Sequence, residues 1–159
     1  MDMTAIIETE TQRRASHTPV RGRKQGSFFP GTRPKGRNRT IFVLDDEFLI
    51  AMQMAQLMEN FGWSILGPAG SLEEADVLLE ENDSPDAAIL DINIRGASVF
   101  ELAETLHDRG VPILFCSGYE VIEETDRFTG CAKLRKPFGG GQIFSEIEAL
   151  MKRKEAGCA

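Results

Sequence analysis

The chain has 159 residues, of which 42% are hydrophobic and 27% are charged, a composition that suits one globular domain of ordinary size. Residues 1–39 carry nine basic and three acidic residues, whereas residues 40–159 carry nine basic and 22 acidic ones. An acidic body of this kind is unsuited to binding nucleic acid. The sequence has no apolar run near the roughly 20 residues that span a bilayer and no secretory signal, so we expect a cytoplasmic protein with reduced cysteines.

The N-terminal segment, residues 1–39, is basic, rich in Gly and Pro, and poor in large apolar side chains. Such a segment buries too little apolar area to offset its ordering entropy, so we expect it to be disordered. Three roles stay open for it: a solvated linker, a contact with a kinase or another acidic protein, and nucleic-acid binding. The last is the least supported, because Phe28-Phe29 is the segment's only aromatic pair.

From residue 40 onward, short apolar runs alternate with amphipathic stretches, which predicts five β-then-α units. Strands are predicted at residues 40–44, 64–66, 86–90, 111–116 and 131–134. Helices are predicted at residues 48–61, 71–82, 99–110, 120–127 and 142–154, and a capping box at residues 71–74 opens the second of them. We expect Gly67-Pro68 to end the second strand, and a loop to follow the third strand through Gly96.

This alternation favours an α/β fold, a doubly wound five-stranded parallel sheet with helices on both faces. The expected strand order is 2-1-3-4-5, and ligands would bind at the switch point between strands 1 and 3. The domain would occupy residues 40–154, followed by a short C-terminal tail at residues 155–159.

Functional side chains stand at the ends of four of these strands. Asp45 and Asp46 follow strand 1, Asp91 follows strand 3, Ser117 ends the strand 4 region, and Lys136 follows strand 5. Because the carboxyl ends of parallel strands meet at one edge, these side chains would share a cleft. Three carboxylates repel one another unless a cation balances them, and oxygen ligands suit Mg²⁺. The metal and Lys136 would neutralise a phosphoryl group beside a carboxylate nucleophile.

These residues resemble the receiver domain of bacterial two-component response regulators, a CheY-like fold of the flavodoxin-like type. The resemblance extends from Thr40 to about Lys154 and consists of four motifs in order: Asp45-Asp46, Ile89-Leu90-Asp91-Ile92-Asn93, Ser117-Gly118 and Lys136-Pro137-Phe138.

The resemblance implies a role for each matched residue. Asp91 would be the phosphoacceptor, with Ser117 and Lys136 contacting the phosphoryl group. Asp46, Asp91 and the backbone carbonyl of Asn93 would bind Mg²⁺ directly, and Asp45 would act mainly through water. The bond between Lys136 and Pro137 would be cis.

The resemblance also implies a function, that of a single-domain response regulator phosphorylated by a histidine kinase, with self-phosphorylation and autodephosphorylation as its only chemistry. The segment Phe115-Cys116-Ser117-Gly118-Tyr119 resembles the Phe-Ala-Thr-Gly-Tyr subgroup of stand-alone α-proteobacterial receivers, whose usual partners are HWE-type kinases. We expect no DNA-binding domain after the receiver. Output would be a protein contact through the helix 4–strand 5–helix 5 face or a phosphorelay, from a monomer or a weak dimer formed on phosphorylation.

One position departs from the family, and two alternatives stay open. Lys133 stands where most receivers have a Tyr or Phe that moves inward on phosphorylation, and Tyr119 is the candidate replacement. The first alternative is a degenerate receiver that binds partners without phosphorylation. The second is a Mg²⁺-dependent phosphatase of the haloacid-dehalogenase type, which would need its nucleophile after strand 1 and an acid in place of Asn93. Glu47 is interpreted as an acid that favours a helix start.

Overall fold

The computed structural model describes residues 39–118 and 123–157 of this chain. The strands are β1 (Thr40–Leu44), β2 (Ser64–Ala69), β3 (Ala87–Asp91), β4 (Asn93–Ile94), β5 (Ala97–Ser98), β6 (Ile113–Ser117) and β7 (Ala132–Arg135). The helices are α1 (Phe48–Asn60), α2 (Leu72–Glu81), α3 (Phe100–Asp108) and α4 (Gly140–Glu155), with a 3₁₀ helix at Glu123–Arg127. Within the described ranges, no helix is long and apolar enough to cross a membrane.

Five strands form one parallel sheet in the order β2-β1-β3-β6-β7, which confirms the predicted 2-1-3-4-5 order of a flavodoxin-like fold. In the register of the central strands, Leu44 pairs with Leu90 and Asp91 pairs with Cys116. The ends of β1, β3 and β6 therefore lie side by side at one edge of the sheet.

Both faces of each central strand are buried against helices, because alternate side chains point to opposite sides of a strand. Ile41 and Val43 belong to a buried cluster with residues of α1 and α4. Phe42 and Leu44 belong to a second cluster with residues of α2 and α3. The sheet is thus the middle of three layers, and the site at its edge is built on a rigid support.

The second strand does not end where the sequence predicted. It runs through Gly67 and Pro68 to Ala69, and its register with β1 shifts between Phe42 and Leu44. Gly67 has a φ of +105°, and a Cβ atom at this position would lie 2.8 Å from the Val43 carbonyl oxygen. A glycine therefore allows a bulge here that lets pairing continue, which a prediction based on Gly-Pro as a strand terminator missed.

Several other predicted boundaries shift by one to three residues, because hydrogen bonds to neighbouring strands fix the ends. The third strand ends on Asp91 rather than before it. The fourth strand begins at Ile113, two residues later than predicted. Half of the predicted capping box is confirmed at the start of α2, where the Glu74 N–H donates to Ser71 Oγ at 3.2 Å. The Glu74 carboxylate accepts from the Gly70 N–H at 2.9 Å.

The predicted loop after the third strand is wrong, since it contains the antiparallel hairpin of β4 and β5. Arg95 and Gly96 form its two-residue turn with φ values of +52° and +85°, as in a type I′ turn.

The predicted helix at residues 120–127 is a 3₁₀ helix over Glu123–Arg127. Tyr119 and the N-terminal residues 1–38 lie outside the described residues. Two of the X–Pro peptide bonds in the described residues, Gly67–Pro68 and Lys136–Pro137, are cis, the second as the resemblance implied.

Candidate functional site

The three aspartates come together at the switch point of the sheet. Asp45 and Asp46 follow directly after β1, and Asp91 is the last residue of the neighbouring strand β3. Each of the three offers a carboxylate oxygen, and these oxygens all lie within 4.8 Å of one another. Asp45 and Asp91 are buried, whereas Asp46 is partly exposed. These three acidic residues, distant in sequence, therefore meet in one cleft as predicted.

Lys136 reaches this cleft from two strands away. Its backbone N–H donates to the Ser117 carbonyl oxygen at 2.7 Å, which fixes the start of the loop after β7 against the end of β6. Its ammonium Nζ lies 2.7 Å from Asp45 Oδ2 and 2.8 Å from Asp91 Oδ2. The side chain is only 12% exposed, so both are charge-assisted hydrogen bonds in a region of low solvent access.

The pKa values of this pair reflect its burial. Burial raises the pKa of the Asp45 carboxyl, although the hydrogen bonds from Lys136 and from the Glu47 backbone oppose that rise. Burial acts to lower the pKa of Lys136, but the hydrogen bonds that its ammonium donates to Asp45 and Asp91 outweigh this effect and raise the pKa well above its ordinary value. Lys136 therefore stays charged at physiological pH. Because the pKa of Asp45 is higher in the folded state than in the unfolded state, its ionisation lowers the free energy of unfolding at neutral pH, and this loss disappears as the pH falls.

The β4–β5 hairpin holds Asp46 and Asp91 in place through backbone groups. The N–H of Arg95, in the turn, donates to Asp46 Oδ2 at 2.9 Å. The N–H of Asn93 donates to Asp91 Oδ1 at 3.4 Å, a long hydrogen bond. The Asn93 side chain closes the turn by accepting from the Gly96 N–H at 2.8 Å. Sequence reasoning missed this role of Arg95, and its only signal was the Gly that follows.

Asn93 also has a defined position in the ladder of the hairpin. The Val99 N–H donates to the Ile92 carbonyl, so Asn93 occupies the neighbouring, non-hydrogen-bonded position of the ladder opposite Ser98. At such a position the N–H and C=O of a residue both point away from the partner strand. Since the Asn93 N–H meets Asp91, its carbonyl lies on the same side of the hairpin.

Ser117 lies where the sequence predicted, whereas Glu47 has a contact that the sequence did not predict. Ser117 lies at the end of β6, one residue beyond the Asp91–Cys116 pair, at the position the prediction required. Glu47 was interpreted only as an acid at a helix start. Its carboxylate instead lies 3.4 Å from Lys136 Nζ, so it is a member of the cleft that sequence reasoning missed.

The donor set fits a hard divalent cation. Three carboxylates against one ammonium leave an excess of negative charge in a small, largely buried space. A cation would reduce the repulsion within this cluster, and carboxylate oxygens at short mutual distance suit Mg²⁺. The acidic cleft on this edge of the CheY-like sheet is thus suited to bind a divalent cation.

Comparison with known proteins assigns the family. The sequence profile described as "Response regulator receiver domain" matches residues 41–148, about two thirds of the chain. The chain belongs to the family of response regulator receiver domains, the input modules of two-component systems.

Three relatives show the range of similarity. Transcriptional regulatory protein PdtaR of Mycobacterium tuberculosis is 29% identical over 119 residues, which cover 72% of this chain and 58% of that protein. The phyllosphere-induced regulator PhyR of Methylorubrum extorquens is 31% identical over 123 residues, covering 73% and 45%. The solution structure of SdrG from Sphingomonas melonis Fr1 is 31% identical with a TM-score of 0.61, covering 71% of this chain and 96% of that one. This chain therefore spans about half the length of these two curated relatives.

Charge repulsion in the cleft predicts the effect of Asp46→Asn. The amide oxygen of Asn can still accept the Arg95 N–H, so the change removes one negative charge with little effect on shape. Without Mg²⁺ we expect the variant to be more stable by about 1 kcal/mol, or roughly 4 °C in melting temperature, after allowance for the partial exposure of Asp46. Saturating Mg²⁺ should raise the melting temperature of the wild type by more than that of the variant.

Differential scanning calorimetry with and without Mg²⁺ measures both effects. Asp83→Asn, which removes an exposed carboxylate outside the cleft, is the matched control and should behave as the wild type. Equal stabilisation of all three proteins by Mg²⁺ would contradict the assignment of Asp46 as a ligand.

Proposed function

We propose that this chain is a response regulator that accepts a phosphoryl group on Asp91 from a phosphohistidine of a histidine kinase. The observation that carries the proposal is the position of the Lys136 ammonium. It lies within 2.8 Å of carboxylate oxygens of both Asp45 and Asp91, in a cleft that Asp46 also enters. A carboxylate nucleophile, an acidic metal site and a fixed cation are the parts that phosphoryl transfer to an aspartate needs.

In this transfer, the bond between phosphorus and the kinase histidine nitrogen breaks as a bond from an Asp91 carboxylate oxygen to phosphorus forms. Lys136 is already charged and already beside Asp91, so it neutralises the phosphoryl oxygens without rearranging. Ser117, at the end of β6, would donate a hydrogen bond from its hydroxyl to the same oxygens.

Asp46, Asp91 and the Asn93 carbonyl would hold Mg²⁺ directly, and Asp45 through water. When bound, the ion neutralises charge that develops on the phosphoryl oxygens. The Arg95 and Asn93 backbone N–H groups keep the Asp46 and Asp91 carboxylates oriented for that role. These ligand roles are carried over from the receiver family onto residues that the fold brings together.

The two alternatives fit the site less well. A degenerate receiver would have lost part of the acidic pair, the nucleophile, the hydroxyl or the lysine, and all of these are present here. A phosphatase of the haloacid-dehalogenase type would have its nucleophile after β1 and an acid at position 93. Here the lysine contacts a nucleophile at the end of β3, and residue 93 is Asn.

An exposed apolar patch beside the cleft supports docking of the kinase. Phe48, Leu49 and Met52, in the first turns of α1, are 70%, 74% and 44% exposed, and they follow directly after Asp45, Asp46 and Glu47. Large apolar side chains that face solvent in a cluster indicate a protein contact. We propose that the phosphohistidine-bearing helix of an HWE-type kinase packs on this patch, which brings its phosphoryl group to Asp91.

The remaining parts of the chain have proposed roles of their own. Residues 40–154 would form the receiver, residues 1–39 a basic disordered segment, and residues 155–159 a short tail. Output would pass to a downstream or phosphotransfer protein through the face formed by the 3₁₀ helix, β7 and α4, in the cytoplasm of a bacterial cell.

The proposal predicts one phosphoryl group per chain at Asp91. With acetyl phosphate and Mg²⁺, the wild type should gain the mass of one phosphoryl group, and chelation of the metal should prevent the gain. Asp91→Asn keeps the shape of the side chain but removes the nucleophile, so it should take up at least about 100-fold less phosphate, as expected for loss of a covalent nucleophile.

Intact-protein mass spectrometry measures the uptake, and Asp83→Asn should be labelled like the wild type. Absence of label from the wild type, both with acetyl phosphate and with kinases, would support a phosphorylation-independent binding module. Continuous turnover of a phosphomonoester would instead support the phosphatase alternative.

If the kinase docks on this patch, a substitution there should slow phosphotransfer from the kinase without slowing labelling by acetyl phosphate. Leu49→Gln should slow phosphotransfer from the cognate kinase by roughly tenfold, because it removes an exposed apolar anchor. Labelling by acetyl phosphate should be unchanged, since Leu49 is 74% exposed and is not one of the residues assigned to the cleft. A phosphotransfer screen of the host's histidine kinases identifies the donor for this comparison.

Val77→Gln is the matched control, because Val77 is 51% exposed on α2, on the other face of the sheet from α1. It should leave both rates unaltered. Unchanged kinase transfer to the Leu49 variant would exclude the patch as the docking surface.

A further inference from the structure

Glu47 has an unusual place in this site. It is the N-cap residue of α1, and its backbone N–H donates to Asp45 Oδ1 at 2.9 Å. Within the described residues its side chain makes no capping hydrogen bond to the helix. The carboxylate turns instead toward the cleft, where Oε1 lies 3.4 Å from Lys136 Nζ. Its side chain is 60% exposed, so it stands at the solvent-facing mouth of the cleft.

Stability does not explain this arrangement. The Lys136 ammonium already has two closer and far less exposed partners, Asp45 at 2.7 Å and Asp91 at 2.8 Å. A third, longer contact to an exposed carboxylate contributes little to folding. The consequence of Glu47 is therefore a fourth negative charge at the point where a phosphoryl donor must enter.

The fourth carboxylate changes the net charge of the metal-loaded site. Asp45, Asp46 and Asp91 are balanced by Lys136 together with a divalent cation, so the loaded site without Glu47 is neutral overall. Glu47 makes the loaded site negative. At a separation of several ångströms near a protein surface, one charge changes the rate at which another charged group enters the site by a modest but measurable factor.

We propose that Glu47 is a specificity-determining residue that disfavours small, doubly charged phosphodonors relative to donors of lower charge. A phosphohistidine carried on a protein surface can overcome this repulsion because apolar docking on Phe48 and Leu49 contributes binding energy that a small donor lacks. Glu47 thereby protects Asp91 from adventitious labelling by small metabolic acyl phosphates. This inference rests on the proposed phosphoacceptor function of Asp91.

The test compares Glu47→Gln with the wild type, using two small donors at saturating Mg²⁺. Acetyl phosphate is doubly charged at neutral pH and phosphoramidate is singly charged. We expect the variant to react roughly fivefold faster with acetyl phosphate and roughly twofold faster with phosphoramidate, and both gains should shrink at high salt. Glu59→Gln, which removes an exposed acid at the far end of α1, should change neither rate.

A second readout requires no phosphoryl transfer. Removing a nearby negative charge should weaken Mg²⁺ binding to the Glu47 variant about threefold, measured by NMR titration of the backbone amides of the cleft. Faster labelling together with weaker metal binding is the signature of a charge effect, since structural damage to the cleft would reduce both.

The outcomes separate this inference from the function on which it rests. If the wild type is labelled but the ratio of the two donor rates is the same in the Glu47 variant, the inference is overturned and the proposed function stands. If neither small donor nor any histidine kinase of the host labels the wild type, and the Glu47 variant is also unlabelled, the proposed function fails and the inference fails with it.

Discussion

The ion pairs of Lys136 with Asp45 and Asp91 are the interaction on which the site depends. They join the loop after β7 to β1 and β3, although β6 lies between β7 and β3 in the sheet. Without the ammonium, three carboxylates within 4.8 Å of one another would lose the counter-charge that Lys136 supplies. The pairs matter less for stability, because desolvation offsets much of the attraction, than for holding a nucleophile, a metal site and a cation in one geometry.

This geometry follows from a property of parallel sheets. The carboxyl ends of all five main strands lie on the same edge, and the crossovers diverge between β1 and β3, which leaves a crevice there. Because the strands are buried on both faces, small displacements of their ends are resisted by the two packed layers. The hairpin of β4 and β5 adds a second support, since it holds Asp46 and Asp91 by backbone N–H groups rather than by flexible side chains.

The sequence was sufficient to predict the fold and the proximity of Asp46, Asp91 and Lys136, for physical reasons. Alternating apolar runs define the strands, and a parallel sheet then determines where residues such as Asp46, Asp91 and Lys136 must meet. Local exceptions were not predictable in the same way. The extension of β2 through Gly67 depends on a bulge against Val43, and the hairpin requires Arg95 to adopt a positive φ that few non-glycine residues adopt. The orientation of Glu47 depends on Lys136, 89 residues away.

The region that follows Ser117 differs from that of most receivers, and its contacts show how. Lys133, at the position usually occupied by an aromatic residue, forms an ion pair with Asp126 of the 3₁₀ helix. Arg127 of the same helix pairs with Glu104 and lies over the rings of Phe100 and Phe128. Exposed ion pairs of this kind are individually weak. The surface around the 3₁₀ helix and β7 is therefore held by charge contacts around an aromatic cluster, rather than by an aromatic side chain at residue 133.

The most direct test of the account is chemical identification of the phosphorylated atom. Borohydride reduces an aspartyl phosphate to homoserine, which tandem mass spectrometry locates in the sequence. After treatment of the protein with a phosphodonor and Mg²⁺, the account predicts homoserine at residue 91 and at no other aspartate. Homoserine at Asp45 or Asp46, or at an aspartate outside the cleft, would contradict it.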